Sequence, residues 1–174
     1  QLVNPGTPVV WAPSSTVAWM KTANYNTGTP EGLLPNLAIL QMARDFYHFP
    51  TRSMAGLTDA KAVDCQAGYE TMQNMVMAML GGAQIIYEAL GVLDGIMTTS
   101  YEKIIIDEEI YCRGRRICSG MDTSTIKASL DLIHEVGCKG NFLSHDTTLS
   151  KAREMWQPSV SNWESYSGRE NEES

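Results

Sequence analysis

The sequence predicts an α/β fold, a parallel sheet with helices between its strands, followed by a helical extension. Three observations predict it. Over residues 1–95, short apolar runs alternate with capped helical stretches, and strand–helix–strand–helix–strand is the grammar of parallel βαβ units. None of those runs alternates apolar with polar residues, as expected of strands covered on both faces. Beyond Gly91 the strand signal stops and helical periodicity alone continues, so residues 96–174 form a separate helical extension.

The strands fall at residues 8–12 (Pro8-Val9-Val10-Trp11-Ala12), 52–57 (Arg52 to Leu57) and 83–88 (Ala83 to Glu88). Between the first two, Thr29-Pro30-Glu31 starts a helix with a hydroxyl cap, a proline in the first turn and an acid beside it. Leu33, Leu34, Leu37, Leu40 and Met42 follow at near-helical spacing, and Pro50 ends the segment. The next helix opens around Thr58-Asp59, carries Tyr69, Met72, Met75, Val76, Met79 and Leu80 on one stripe, and stops at Gly81-Gly82. Its methionines read as core gap fillers. In the extension, Thr99 or Ser100 caps a helix running to Ile117 and ended by Gly120. Asp122 or Thr123 caps another, with Ile126, Leu130, Ile133 and Val136 inward and Gly137 as its stop. A short helix begins near Asp146 and ends before Pro158, and residues 167–174 are polar and acidic and expected to fray.

The 174 residues amount to about one domain. Hydrophobic residues make up 43% and charged residues 19%, which supplies a core and argues against disorder. The formal net charge of -7 argues against nucleic acid as partner, because phosphate contacts need clustered Lys and Arg. No apolar run approaches the roughly 20 residues of a membrane span. The start, Gln1-Leu2-Val3-Asn4-Pro5-Gly6, has neither an initiator Met nor a signal pattern and reads as the middle of a longer chain. Cys65, Cys112, Cys118 and Cys138 form no C-x-x-C pair and read as free thiols of a reducing cytoplasm. The rival zinc reading would need Cys112, Cys118, His134 and Cys138 to converge.

In parallel α/β sheets, working residues gather at the carboxyl ends of strands. That rule nominates Trp11, Ser14 and Ser15 after the first strand, Thr58, Asp59 and Lys61 after the second, and Tyr87 and Glu88 at the third. Aromatic faces and carboxylates in one mouth suit a quaternary ammonium, whose nitrogen has no hydrogen to donate. The structural alternatives are that Asp59 is an N-cap, Lys61 a surface residue, and Trp11 and Tyr87 core filling. His48 reads as a capping or packing residue. His145 beside Asp146 could form a catalytic pair, and the charged run from Glu102-Lys103 to Asp107-Glu108-Glu109 reads as a solvated helix face. No G-x-S-x-G, P-loop, H-E-x-x-H or dinucleotide-binding glycine pattern occurs.

Several segments together resemble one family. Gly28-Thr29-Pro30-Glu31, Asp64-x-Gln66-Ala67-Gly68-Tyr69-Glu70, Gly81-Gly82-Ala83, and Thr99-Ser100-Tyr101-Glu102-Lys103 through Asp107-Glu108-Glu109 look like the trimethylamine methyltransferase (MttB-like) family. Phe142-Leu143-x-His145-Asp146-x-Thr148 and Trp156-Gln157-Pro158 fit its C-terminus. The resemblance implies a cytoplasmic enzyme passing a methyl group from a methylated amine to the cobalt of a corrinoid (cobalamin) on a separate protein. By that resemblance this chain is the last three βα units of a TIM-type (β/α)8 barrel with its helical C-terminal extension, inactive when isolated. No cofactor would be bound by this chain itself. The partners would be the cognate corrinoid protein and the methylated amine, with neither nucleic acid nor membrane, in a homo-oligomer. Trimethylamine members carry pyrrolysine and none is written here, which tilts the reading towards relatives using quaternary amines such as glycine betaine. Trp11, Thr58, Asp59, Lys61, Tyr87 and Glu88 would then line the substrate mouth. Two rival functions stand beside it: another barrel enzyme with Lys61 as Schiff-base nucleophile, and a non-catalytic interaction module built on residues 96–174.

Overall fold

The computed structural model describes residues 2–165. Its elements in chain order are β1 (Val17–Trp19), β2 (Asn24–Asn26), α1 (Pro30–Gln41) running into a π-helical turn (Met42–Phe46), and β3 (Arg52–Met54). Then come α2 (Cys65–Leu80), β4 (Ile85–Tyr87), β5 (Val92–Leu93), a 3-10 turn (Asp94–Ile96) and β6 (Thr98–Thr99). Three helices close the chain: α3 (Tyr101–Cys118), α4 (Ile126–Val136) and α5 (Asp146–Glu154). Two compact units divide between Cys118 and Ser119. Residues 167–174, expected to fray, lie outside the described residues.

The parallel sheet is present in reduced form. β3 and β4 pair in parallel, with Arg52 opposite Ile85, Ser53 opposite Ile86 and Met54 opposite Tyr87. The strand expected at 8–12 contracts to one parallel bridge, Trp11 opposite Thr51, held by Trp11 N to Pro50 O (2.8 Å) and Arg52 N to Trp11 O (2.9 Å). The strands expected at 52–57 and 83–88 shorten to three residues each, because Gly56 turns the backbone at φ +74 and Glu88 at φ +53. Two antiparallel ladders lie outside the expected pattern. β1 pairs with β2, and β5 pairs with β6, the latter correcting the reading that strands end at Gly91.

Local signals place most helix ends. Thr29 caps α1 by accepting from Gly32 N, with Pro30 in its first turn. Ser100 Oγ accepts from Lys103 N at the start of α3. The helix expected from Thr58-Asp59 instead begins at Cys65, where Asp64 Oδ1 accepts from Ala67 N. Thr58 and Asp59 are not free to cap it, because their side chains are bonded to distant partners, described below.

α2 is the centre of the first unit. Met75, Ala78, Ala55 and Ile110 form its buried core, with Met72, Met79, Ile86, Ile106 and Tyr111 packed around them. α3 lies against α2, and Gly114 permits the approach, since a Cβ there would sit 2.8 Å from Met79 Sδ. That contact overturns the solvated reading of the charged run: Lys103 and Asp107 are each 1% exposed and Glu109 is 4% exposed. A helix on the sequence's extension side of residue 95 is thus integral to the core around the sheet.

In the second unit, α4 ends at Gly137 with φ +64, and α5 starts at His145, whose Nδ1 accepts from Thr147 N. His145 is a helix cap here, not half of a catalytic pair with Asp146. None of the described residues of this unit is buried.

Candidate functional site

The loop after β3, residues 55–60, is the organising piece. Asp59 accepts four hydrogen bonds from the end of β2 and the two residues after it. Oδ1 receives Thr27 N (2.8 Å) and Thr27 Oγ1 (3.2 Å), and Oδ2 receives Gly28 N (3.0 Å) and Asn26 Nδ2 (3.2 Å). These use about all the lone-pair positions a carboxylate offers. Its charge is still presented to a cleft, but its geometry is committed to holding β2 and the start of α1.

The loop is held from beneath by Glu70 of α2. Glu70 Oε2 accepts from the Thr58 hydroxyl (2.6 Å) and from Asp59 N (2.8 Å), while Oε1 accepts from Gln66 Nε2 (2.9 Å). Thr58 is fully buried and Glu70 is 8% exposed, so these bonds stand in place of water. Gly28 passes over that carboxylate so closely that a Cβ would lie 2.4 Å from Glu70 Cδ.

From the other side, the turn at Asp94–Ile96 docks on the same loop through Asp94 N to Ala60 O (2.8 Å) and Gly95 N to Thr58 O (2.9 Å). Its three residues carry positive φ, at 52°, 57° and 79°. Positive φ is uncommon outside glycine and an outlier for a β-branched residue such as Ile96. Strain of this kind persists only where surroundings enforce it, and it gathers at functional sites.

These segments enclose a cleft of about 390 Å³ edged by Tyr25, Asn26, Asp59, Lys61, Asp94 and Met97. Lys61 Nζ pairs with Asp94 Oδ1 at 3.0 Å and donates to the Asp59 carbonyl at 2.5 Å. The cleft therefore carries two carboxylates, one ammonium and one aromatic ring. Asn26 Oδ1 is buried with no partner among the described residues.

Tyr87 stands at the end of β4, half-buried, with the Arg52 guanidinium 4.4 Å from its ring centroid. Burial pushes its phenol pKa up; Arg52 opposes the shift, and Glu88 and Tyr25 add to it. One face of Tyr87 is occupied by that cation.

The expected site residues thus divide. Asp59 and Lys61 meet in the cleft, Thr58 lies buried under it, and Tyr87 and Glu88 stand at and just past the end of β4, outside the residues that edge the cleft. Trp11 departs from the carboxyl-end expectation. It stands opposite Thr51, ahead of the first residue of β3, and its ring stacks with Tyr47 and Phe49 at centroid distances of 6.1 Å. Ser14 and Ser15 edge a separate small cleft with Thr16 and Leu33. Lys61 is exposed and bonded to Asp94 and Asp59, unlike the desolvated pocket from which a Schiff-base lysine works.

Sequence reasoning missed Glu70, Tyr25 and Asp94. Glu70 lies in α2 off the apolar stripe, and only its burial reveals its use. Tyr25 belongs to a hairpin with no turn signal. His48 is exposed at a helix end, its Nδ1 3.2 Å from Arg44 O. Cys65, Cys118 and Cys138 are exposed and Cys112 half-buried, all unpaired. Among the described residues no group of three His, Cys, Asp or Glu is arranged to hold a metal ion, and no helix is long and apolar enough to cross a membrane.

Fold and site together define an α/β protein with an acidic, aromatic-edged cleft beside the carboxyl ends of its parallel strands. Comparison with known proteins narrows this. The model of the trimethylamine methyltransferase (MTTB) family matches residues 1–172, so the chain belongs to that family. It is 37% identical to a glycine betaine methyltransferase of Desulfitobacterium hafniense, over 95% of this chain and 35% of the relative. It is 34% identical to a proline betaine:corrinoid methyltransferase of Eubacterium limosum, over 90% of this chain and 32% of the relative. It is 33% identical to a trimethylamine methyltransferase of Methanosarcina barkeri, over 83% of this chain and 29% of the relative. The chain spans about a third of the length of these curated relatives.

Proposed function

We propose that the protein transfers a methyl group from a methylated amine to the cobalt of a corrinoid carried by a separate protein. In this reading the chain supplies the final three βα units of a TIM-type barrel, and the cleft at Asp59 and Asp94 forms part of the substrate mouth. The single observation that carries the reading is the family match over residues 1–172. The names of relatives at 37% and 34% identity support a quaternary amine, of the glycine betaine kind, as the substrate.

The chemistry suits the groups present. A quaternary nitrogen leaves with the C–N electron pair and becomes a neutral tertiary amine, so no proton has to be delivered. The cobalt is a substrate held by the other protein. What this chain must do is hold the cation and aim one methyl, a task of orientation. The Asp59 and Asp94 charges attract the ammonium head. In this reading Tyr25 and Tyr87 offer ring surfaces, each contributing about 0.5–2 kcal/mol to a held cation. Glu88 adds negative charge beside Tyr87. Thr58 works beneath them by fixing the loop through Glu70, and Lys61 neutralises part of Asp94 while sitting at the rim.

The test uses the full-length protein with its reduced corrinoid partner. Methyl transfer from glycine betaine, followed by visible absorbance of the corrinoid, is expected; trimethylamine serves as the comparison. A folded protein that methylates cobalt(I) from neither amine would contradict the reading.

A further inference from the structure

Outside the cleft, the strongest unexplained feature is the ion pair buried between α3, α2 and the strand ends. Lys103 Nζ lies 2.5 Å from Asp107 Oδ2, and both side chains are 1% exposed. The same ammonium donates to Thr71 Oγ1 at 2.8 Å and to Gly56 O at 3.2 Å. The same carboxylate oxygen accepts from Gly91 N at 2.7 Å. Gly56 is in the turn after β3 and Gly91 in the turn after β4. Each precedes a cleft carboxylate by the same interval, Gly56 to Asp59 and Gly91 to Asp94.

We infer that Lys103 and Asp107 are positioning residues, an internal clamp by which α3 sets the spacing of the two turns that carry the cleft carboxylates. Stability alone does not account for the pair. Burial pulls the Lys103 pKa down and pushes that of Asp107 up, the mark of two charges whose desolvation outweighs their attraction. Asp107 Oδ1 is buried with no partner among the described residues. Apolar side chains of similar size often replace such a pair without loss of stability. They could not bond Gly56 O and Gly91 N, the two backbone groups through which the turns are registered to one helix. Gly56 is further constrained, since a Cβ there would fall 2.0 Å from Ala89 O, so the two turns are already in contact and their offset is set by what holds them. Any effect on amine binding rests on the function proposed above; the effect on the turns does not.

The experiment is amide hydrogen exchange on the full-length protein, comparing wild type with the Lys103→Met/Asp107→Leu double variant. The variant is expected to keep its melting temperature within a few degrees. Exchange at Asp94 N and Gly95 N, which bridge the turns, should accelerate about tenfold or more, the scale of losing bonds to a charged group, while α2 core amides stay unchanged. Unchanged exchange at those two amides overturns the inference, and so does uniform acceleration across α2 and the turns, which would mark a general stabiliser. Where that double variant does not fold, Lys103→Met/Asp107→Asn removes both charges while Asn keeps an acceptor for Gly91 N, so that of the two turn bonds only that to Gly56 O is lost, and the same two outcomes decide. A methyl-transfer arm adds the functional readout: KM for glycine betaine rising with the melting temperature preserved supports the clamp, and an unchanged KM alongside faster turn exchange overturns its role at the site.

Discussion

The two units of this chain build helices by the same local rules and use them differently. α1 and α5 both start at a side-chain cap, Thr29 in one and His145 in the other. In the first unit the helices bury polar groups. Glu70, Asn74, Lys103, Asp107 and Glu109 are all less than a tenth exposed, and four of them hold loops near the cleft or each other. In the second unit nothing described is buried, and Ile126, Leu130 and Ile133, the inward stripe expected of α4, are 55%, 53% and 54% exposed. Capping and periodicity make a helix; they do not make a site. The site arises where buried charges reach backbone groups across several elements, and among the described helices that happens on α2 and α3.

The largest expected effect separates the units most sharply. Asp107→Ala leaves Lys103 buried without its counterion and should lower stability by about 3–5 kcal/mol in urea unfolding. A loss under 1 kcal/mol would mean that the pair is not buried as described. Next comes a contrast of glycines. Gly28→Ala drives a methyl group into the Glu70 carboxylate and should cost about 1–3 kcal/mol and disturb the Thr58–Asp59 loop. Gly120→Ala in the second unit meets no atom within 4 Å, so only its φ of +66 opposes the change, at about 1 kcal/mol. Equal losses at the two positions would erase the distinction drawn here. Thr29→Ala removes the α1 cap bond and should cost about 1 kcal/mol, read as a shift in unfolding midpoint.

The smallest effect is a titration. The Tyr87 pKa is raised, so the stability held by its neutral phenol is complete below the ordinary value of 10.0 and is lost as pH rises through the elevated one. Ultraviolet tyrosinate absorbance should show a late-ionising tyrosine that disappears in Tyr87→Phe. If the variant keeps the late component, it belongs to another ring.

What the sequence made legible follows the same divide. The caps at Thr29 and Ser100, the stop at Gly137 and the parallel relation of the segments around residues 52 and 85 rest on neighbours within a few positions or on apolar runs. The methionine stripe of α2 was likewise readable as core. Thr58 and Asp59 look like a helix start in sequence, since a hydroxyl and a carboxylate in that order commonly cap. Their true partners are residues 26–28 and Glu70, which no local pattern reveals. Lys103 and Asp107 have the spacing of an exposed i,i+4 pair, and only the close approach allowed by Gly114 puts them inside. The β1–β2 hairpin turns through Ala23 at φ +56 without an Asn-Gly or Asp-Gly signal. Trp11 reads in sequence as the end of an apolar run; its single bridge to Thr51 sets it level with the start of β3 instead.

The central claim is that the cleft at Asp59 and Asp94 holds a methylated cation, and calorimetry on the full-length protein tests it most directly. Glycine betaine is compared with tert-butylacetate, which has the same shape without the positive charge. Asp94→Asn is the variant, since asparagine tolerates the positive φ of that turn. Wild type should bind glycine betaine more tightly than tert-butylacetate, and Asp94→Asn should weaken the cation and narrow the gap. Equal affinity for the two ligands in wild type, or a gap unchanged by Asp94→Asn, would contradict the assignment of this cleft.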